Sequence, residues 1–142
     1  MTTRIISIAL LSALTLSAAA QTTAAKTFNK SFNTESKTTI RLDLPGEVDL
    51  KIWNNSNIRI EISVSLPSGS NPAMLNELAN VGRYNLVSKP TEDALVIQAP
   101  NMHKQIRVKG EELKELLSFV VFVPKDLKVQ VVNADQLAGV KK

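Results

Sequence analysis

Hydrophobic and polar residues alternate with a period of two over residues 47–66 more strictly than anywhere else in the chain. Val48, Leu50 and Ile52 are set against Asp49 and Lys51, and after an Asn-rich break Ile58, Ile60, Ile62, Val64 and Leu66 are set against Arg59, Glu61, Ser63 and Ser65. Successive side chains of a strand point to opposite faces, so the pattern predicts two strands, each with one apolar and one wet face. The break, WNNSN over 53–57, is rich in asparagine, which tolerates left-handed backbone and bonds its own main chain. It predicts a reversal that pairs the two strands directly as a hairpin.

The same period predicts further strands at 38–44, 84–88, 94–99, 105–109 and 127–131, with Pro45-Gly46 ending the first of these in a tight turn. In 27–33, Phe28 and Phe32 share a face with Lys30, and a lysine in an apolar row suits an edge strand. Residues 118–123, SFVVFV, are apolar on both faces, which predicts a central strand covered on both sides. One segment changes period. Asn71-Pro72 is a helix start, Met74, Leu75, Leu78 and Ala79 fall on one helical face, and Gly82 supplies a left-handed cap, so a short helix is expected over about 71–81. Residues 110–117 fit one or two helical turns, with Glu111 and Glu112 at the positive end, but are too short to decide. The expected fold class is mainly β: a compact antiparallel or solenoid-like β-sheet domain with one short α-helix.

The N-terminus departs from this patterning. Arg4 precedes an apolar run over 5–16, and Ala18-Ala19-Ala20 forms a small-residue cleavage site, which together predict a signal peptide over 1–20. The run is shorter than the roughly 20 residues of a spanning helix. The expected organisation is therefore a signal peptide (1–20), a mobile leader (21–26), a β-rich domain (27–132) and a tail (133–142), with export to the periplasm or the cell surface. The chain has no cysteine, so neither disulfides nor a lipidated N-terminal cysteine is available. The formal net charge of +4 includes Arg4, and the basic residues lie scattered among acids, which argues against nucleic acid as a partner. No second long apolar segment follows, so no membrane span is expected after cleavage.

Candidate chemistry is sparse. The single histidine, His103, lies in a polar loop, PNMHKQ, without a Gly-x-Ser-x-Gly elbow or paired metal-ligand spacing, and reads as an exposed loop residue. The five glycines form no phosphate-binding loop. Neither metal nor cofactor is expected. Asp43, Asp49 and Glu61 are the carboxylates a glycan hydrolase could use, but each has a basic neighbour close in sequence, Arg41, Lys51 and Arg59, so charge pairing explains them better. The wet-face cluster Asp49, Lys51, Arg59 and Glu61 reads first as mutual pairing and second as a binding face for an envelope or surface ligand.

Two stretches resemble a known family. Residues 44–53, LPGEVDLKIW, with the alternating 58–66, resemble the first ladder of the bacterial envelope family of adhesin and auto-transporter adhesin head domains. Residues 122–129, FVPKDLKV, resemble that family's Val-Pro-Lys-Asp segment entering its β-strand repeats. The resemblance implies an exported, repeat-like β domain without established enzymatic activity or catalytic residues to carry over. In that family further rungs rich in Gly, Asp and Ser follow, whereas here Asn133-Ala134-Asp135 leads only into the tail, so the chain is expected to be the family's opening domain. The expected function is a non-enzymatic surface or periplasmic binding module. The alternatives are a structural subunit that self-associates through exposed strand edges and, last, a carboxylate-dependent envelope glycan hydrolase.

Overall fold

The computed structural model describes residues 24–132. The signal peptide over 1–20, residues 21–23 of the leader and the tail over 133–142 lie outside the described residues. Ten strands and one helix follow in order: β1 (Ala25–Phe32), β2 (Thr39–Asp43), β3 (Glu47–Trp53), β4 (Ile58–Ser65), α1 (Ala73–Asn80), β5 (Val87–Pro90), β6 (Leu95–Gln98), β7 (Arg107–Val108), β8 (Glu111–Glu112), β9 (Leu116–Pro124) and β10 (Lys128–Val131). One four-stranded sheet has the order β1-β4-β9-β3, a second has β10-β2-β6-β5, and β7-β8 form a small hairpin. Both large sheets are mixed rather than antiparallel, because β3 runs parallel to β9, and β10, β2 and β6 run parallel to one another.

The two large sheets share one core. Ile58, Ile60, Ile62 and Val64 of β4 and Phe119, Val121 and Val123 of β9 meet Ile40 and Leu42 of β2 and Leu95 and Ile97 of β6, all at most 3% exposed. Burying one such side chain contributes about 1.5–3 kcal/mol. Of the passages between the two large sheets, the shortest are the three-residue links 44–46 between β2 and β3 and 125–127 between β9 and β10. Gly46 is required at the first corner by proximity, since a Cβ there would lie 2.6 Å from the Leu117 carbonyl oxygen.

The expected β3–β4 hairpin does not form: β9 lies between the two strands, antiparallel to β4 and parallel to β3. The reason is competition for the central position. β9 is apolar at six consecutive residues from Phe119 to Pro124, and a strand without a wet face gains most from having neighbours on both sides. The four-residue 54–57 loop can reach over it, because two strand spacings are only about 9–10 Å. β9 is not covered equally on its two faces, however: Phe119, Val121 and Val123 are buried, while Val120 and Phe122 are only half-buried on the outer face.

Other expectations change in detail. β1 is an edge strand as expected, but it begins at Ala25, inside the expected leader, and Ala24 is already buried. The 84–88 strand is shifted to β5, which shares only residues 87 and 88 with it and runs on to Pro90, because Tyr84 lies in the turn after α1, 2% exposed and stacked on Phe28 with 5.1 Å between ring centroids. The 105–109 strand shrinks to β7, and 110–117 contains no helical turn: Lys109 (φ 52°) and Gly110 (φ 82°) make the two-residue reversal into β8. Positive φ at both central residues is what a tight hairpin with right-handed strand twist needs.

Helix α1 matches the sequence reading closely. The Asn71 side-chain oxygen accepts from the Ala73 N–H at 3.0 Å, and Leu75 is buried with Met74, Leu78 and Ala79 packed beside it. Gly82 (φ 82°) donates to the Ala79 carbonyl and Arg83 to that of Leu78, closing the end in a Schellman arrangement. Lys26 of β1 donates to Asn76 at 2.7 Å, which sets the helix beside the β1 edge. Among the described residues, no helix is long and apolar enough to cross a membrane.

Candidate functional site

The outer face of the first sheet collects the four residues read as a binding face. Strand register sets Asn29, Glu61, Val120 and Asp49 in one row across β1, β4, β9 and β3, and Ser31, Arg59, Phe122 and Lys51 in the next. Asp49, Lys51, Arg59 and Glu61 thus share one face, as their period of two requires. They do not form a single charged cluster. Arg59 and Glu61 pair at 3.0 Å on β4, while Asp49 and Lys51 lie on the far side of β9, with Val120 and Phe122 between.

The apolar strip is the centre of this face. Phe122 lies against Trp53 with ring centroids 5.4 Å apart, and the Arg59 guanidinium lies 5.9 Å from the Phe122 ring centroid. A guanidinium over an aromatic ring is attracted by the negative ring face. Arg59 also donates to Asn29 at 3.2 Å, and the Trp53 indole N–H donates to the Asn57 carbonyl at 2.9 Å. These bonds fix both the cation and the tryptophan ring. At the end of the strip, the 54–57 loop and the link after β9 enclose a shallow depression of about 500 Å³ lined by Trp53, Asn54, Asn55, Ser56, Lys125 and Asp126, among others. One aromatic wall and a rim of amide, hydroxyl and charged groups can bind a ligand that has both an apolar face and hydroxyls.

Trp53 and Phe122 are missed by reading charge alone. Their alternation within β3 and β9 carried a signal, since odd residues of β3 and even residues of β9 share the outer face, but only the long-range register sets them beside Arg59.

The remaining candidates lie elsewhere. Asp43 is on β2 in the second sheet, so it does not join Asp49 and Glu61; its carboxylate faces His103 Nε2 at 3.6 Å, and that imidazole is on the surface as expected. Arg41, read as a partner for Asp43, reaches instead to Asp93 at 4.0 Å and Gln130 at 3.3 Å. Among the described residues, no group of three or more His, Cys, Asp or Glu could hold a metal ion.

A second polar cluster was not read from the sequence. Arg83, just past the Schellman cap, forms a 2.5 Å ion pair with Glu115, and the two side chains are 7% and 4% exposed. Its Nη1 also donates to the carbonyls of Asn101 and Lys104, while the Tyr84 hydroxyl donates to the other Glu115 oxygen at 2.6 Å. Burial, then the hydrogen bond to Glu115 and its charge, push the Tyr84 pKa well above its usual value. Every polar atom of the cluster has a partner. It ties the end of α1 to the 101–106 loop and to the approach to β9.

Compared with protein-family models, with curated proteins and with solved structures, the chain matches none.

Proposed function

We propose that this chain is an exported, non-enzymatic envelope protein of the adhesin-like kind, and that the outer face of its first sheet binds a saccharide of an envelope or cell surface. The observation that carries the reading is the half-buried Trp53–Phe122 pair, held open to solvent and framed by Arg59, Lys51 and the Asn54–Asn55–Ser56 rim. A pyranose ring offers C–H groups that stack on an aromatic face and hydroxyls that the rim can bond. The apolar run and alanine site over 1–20 support export, and 44–53 with 122–129 support the adhesin resemblance. A hydrolytic reading is less favoured, since Asp49 and Glu61 flank Val120 on an open face and Glu61 is engaged by Arg59.

Trp53 is the single tryptophan, so its fluorescence reports directly on the face. Titrating the purified mature protein with a panel of envelope and surface oligosaccharides should give a saturable change with at least one of them, abolished in Phe122→Ala. A folded protein whose tryptophan ignores every saccharide in the panel would end this reading. Fractionation of cells producing a tagged form should find it in the periplasm or at the surface; recovery in the cytoplasm with residues 1–20 retained would refute export.

A further inference from the structure

Strand β3 is an edge built like an interior strand. Among the described residues its only strand neighbour is β9, to which Val48, Leu50 and Ile52 are matched in register with Phe119, Val121 and Val123. Those three partners are at most 3% exposed, yet Leu50 is 43% and Ile52 70% exposed. The opposite edge is protected: β1 carries Lys26 and Lys30 in its core-facing row, and α1 lies beside it. Inward lysines and a covering helix are the usual means of keeping an edge from pairing with another chain. Among the described residues β3 has none of them. Its three core-side positions are all apolar, and its charges, Glu47, Asp49 and Lys51, point outward.

We propose that this edge pairs with the β3 edge of a second copy of the chain, antiparallel, about a two-fold axis through Leu50. The sequence around Leu50 is complementary to itself in that arrangement. Leu50 faces its own counterpart, Val48 faces Ile52 and Asp49 faces Lys51, so apolar residues meet on the core side and opposite charges meet on the outer side. Other registers are worse. An axis through Asp49 or Lys51 sets like charges directly opposite, which destabilises a strand pair, and an axis between two residues opposes core-side with outer-side positions. The contact is isologous, so the same patch serves both subunits and the assembly closes as a dimer. The two four-stranded sheets join into one of eight strands, and two Trp53–Phe122 faces lie side by side.

The chain has no cysteine, so one introduced thiol tests the register. In the full mature protein, Leu50→Cys lies on the axis, where directly opposed Cα atoms are about 4.5–5.5 Å apart and within disulfide reach. Mild oxidation should convert it to a covalent dimer, whereas Val48→Cys, offset from its own counterpart by four residues, should cross-link no faster than Val87→Cys on the distant β5 edge. Sedimentation across concentration should show a reversible dimer. Asp49→Lys should weaken it about tenfold, and Asp49→Lys with Lys51→Asp should restore it to within a few-fold. A monomer at every concentration, with the edge either open or covered by residues 133–142, overturns the proposal. So does equal cross-linking of the Leu50 and Val48 variants, or failure of the double reversal to rescue the single one.

Discussion

Glu115→Ala tests whether the buried ion pair anchors the fold. The substitution leaves the Arg83 guanidinium, 7% exposed, without its carboxylate, and leaves the Tyr84 hydroxyl without its acceptor. Two carbonyl acceptors, those of Asn101 and Lys104, remain for Arg83, but neither carries a neutralising charge. Removing one member of a buried pair costs about 3–5 kcal/mol, because the survivor stays desolvated and uncompensated. That is a large share of the roughly 5–15 kcal/mol that holds a domain folded. Urea unfolding followed by Trp53 fluorescence and far-ultraviolet circular dichroism would measure it. Glu61→Ala is the control, since it breaks the exposed Arg59–Glu61 pair, 41% and 29% exposed, and should cost no more than about 1 kcal/mol. Replacing the three side chains together, Arg83→Met, Tyr84→Phe and Glu115→Leu, should recover part of the loss, the remainder being the cost of the Asn101 and Lys104 carbonyls left without their donor. If Glu115→Ala costs no more than Glu61→Ala, the cluster does not hold the 101–106 loop and the start of β9 in place.

Three further outcomes follow from the same geometry. Tyr84 is the single tyrosine, and its raised pKa means that the folded protein retains a proton the unfolded chain loses above pH 10.0. Stability should therefore be unaffected by this group below pH 10 and fall above it, by up to about 1.4 kcal/mol per pH unit. The urea midpoint should drop more steeply above pH 10 in the wild type than in Tyr84→Phe, and tyrosinate absorbance should appear only with unfolding. Ile62→Ala, at a position with 0% exposure, should cost about 2–5 kcal/mol by the same urea assay. Gly46→Ala drives a methyl against the Leu117 carbonyl at 2.6 Å and should cost about 1–3 kcal/mol, read as a lowered melting temperature.

What could be read from the sequence was local. β4 and α1 declare themselves because each keeps one period for its whole length, and the residues whose hydrogen bonds close the ends of α1, Asn71 and Gly82, lie two positions from its first and last residues. β1 was recognisable as an edge from Lys30 alone. The pairing of β3 was not legible, because its true partner β9 lies more than 60 residues away and nothing in 47–66 shows that another strand competes for the gap. The site divides in the same way. Period two was enough to set Asp49, Lys51, Arg59 and Glu61 on one face, but Phe122 stands between them only through the register of three strands. Arg83 and Glu115 gave no local signal, since each is a charged residue beside a turn or loop, where solvent exposure is the ordinary expectation.

The insertion of β9 between β3 and β4 also sets the order in which the chain can fold. A reversal as short as 54–57 brings its flanking strands together within microseconds, whereas β9 must close a long loop before it can pair. Direct contact between β3 and β4 is thus the fastest sheet contact open to this region, and it is one the native state does not contain. It must be avoided or undone before residues 116–124 can enter, which places folding in the slow range of proteins dominated by distant contacts. A chain ending before Leu116 would lack the strand that separates β3 from β4, leaving that direct contact, which the whole protein avoids or reopens, without a competitor.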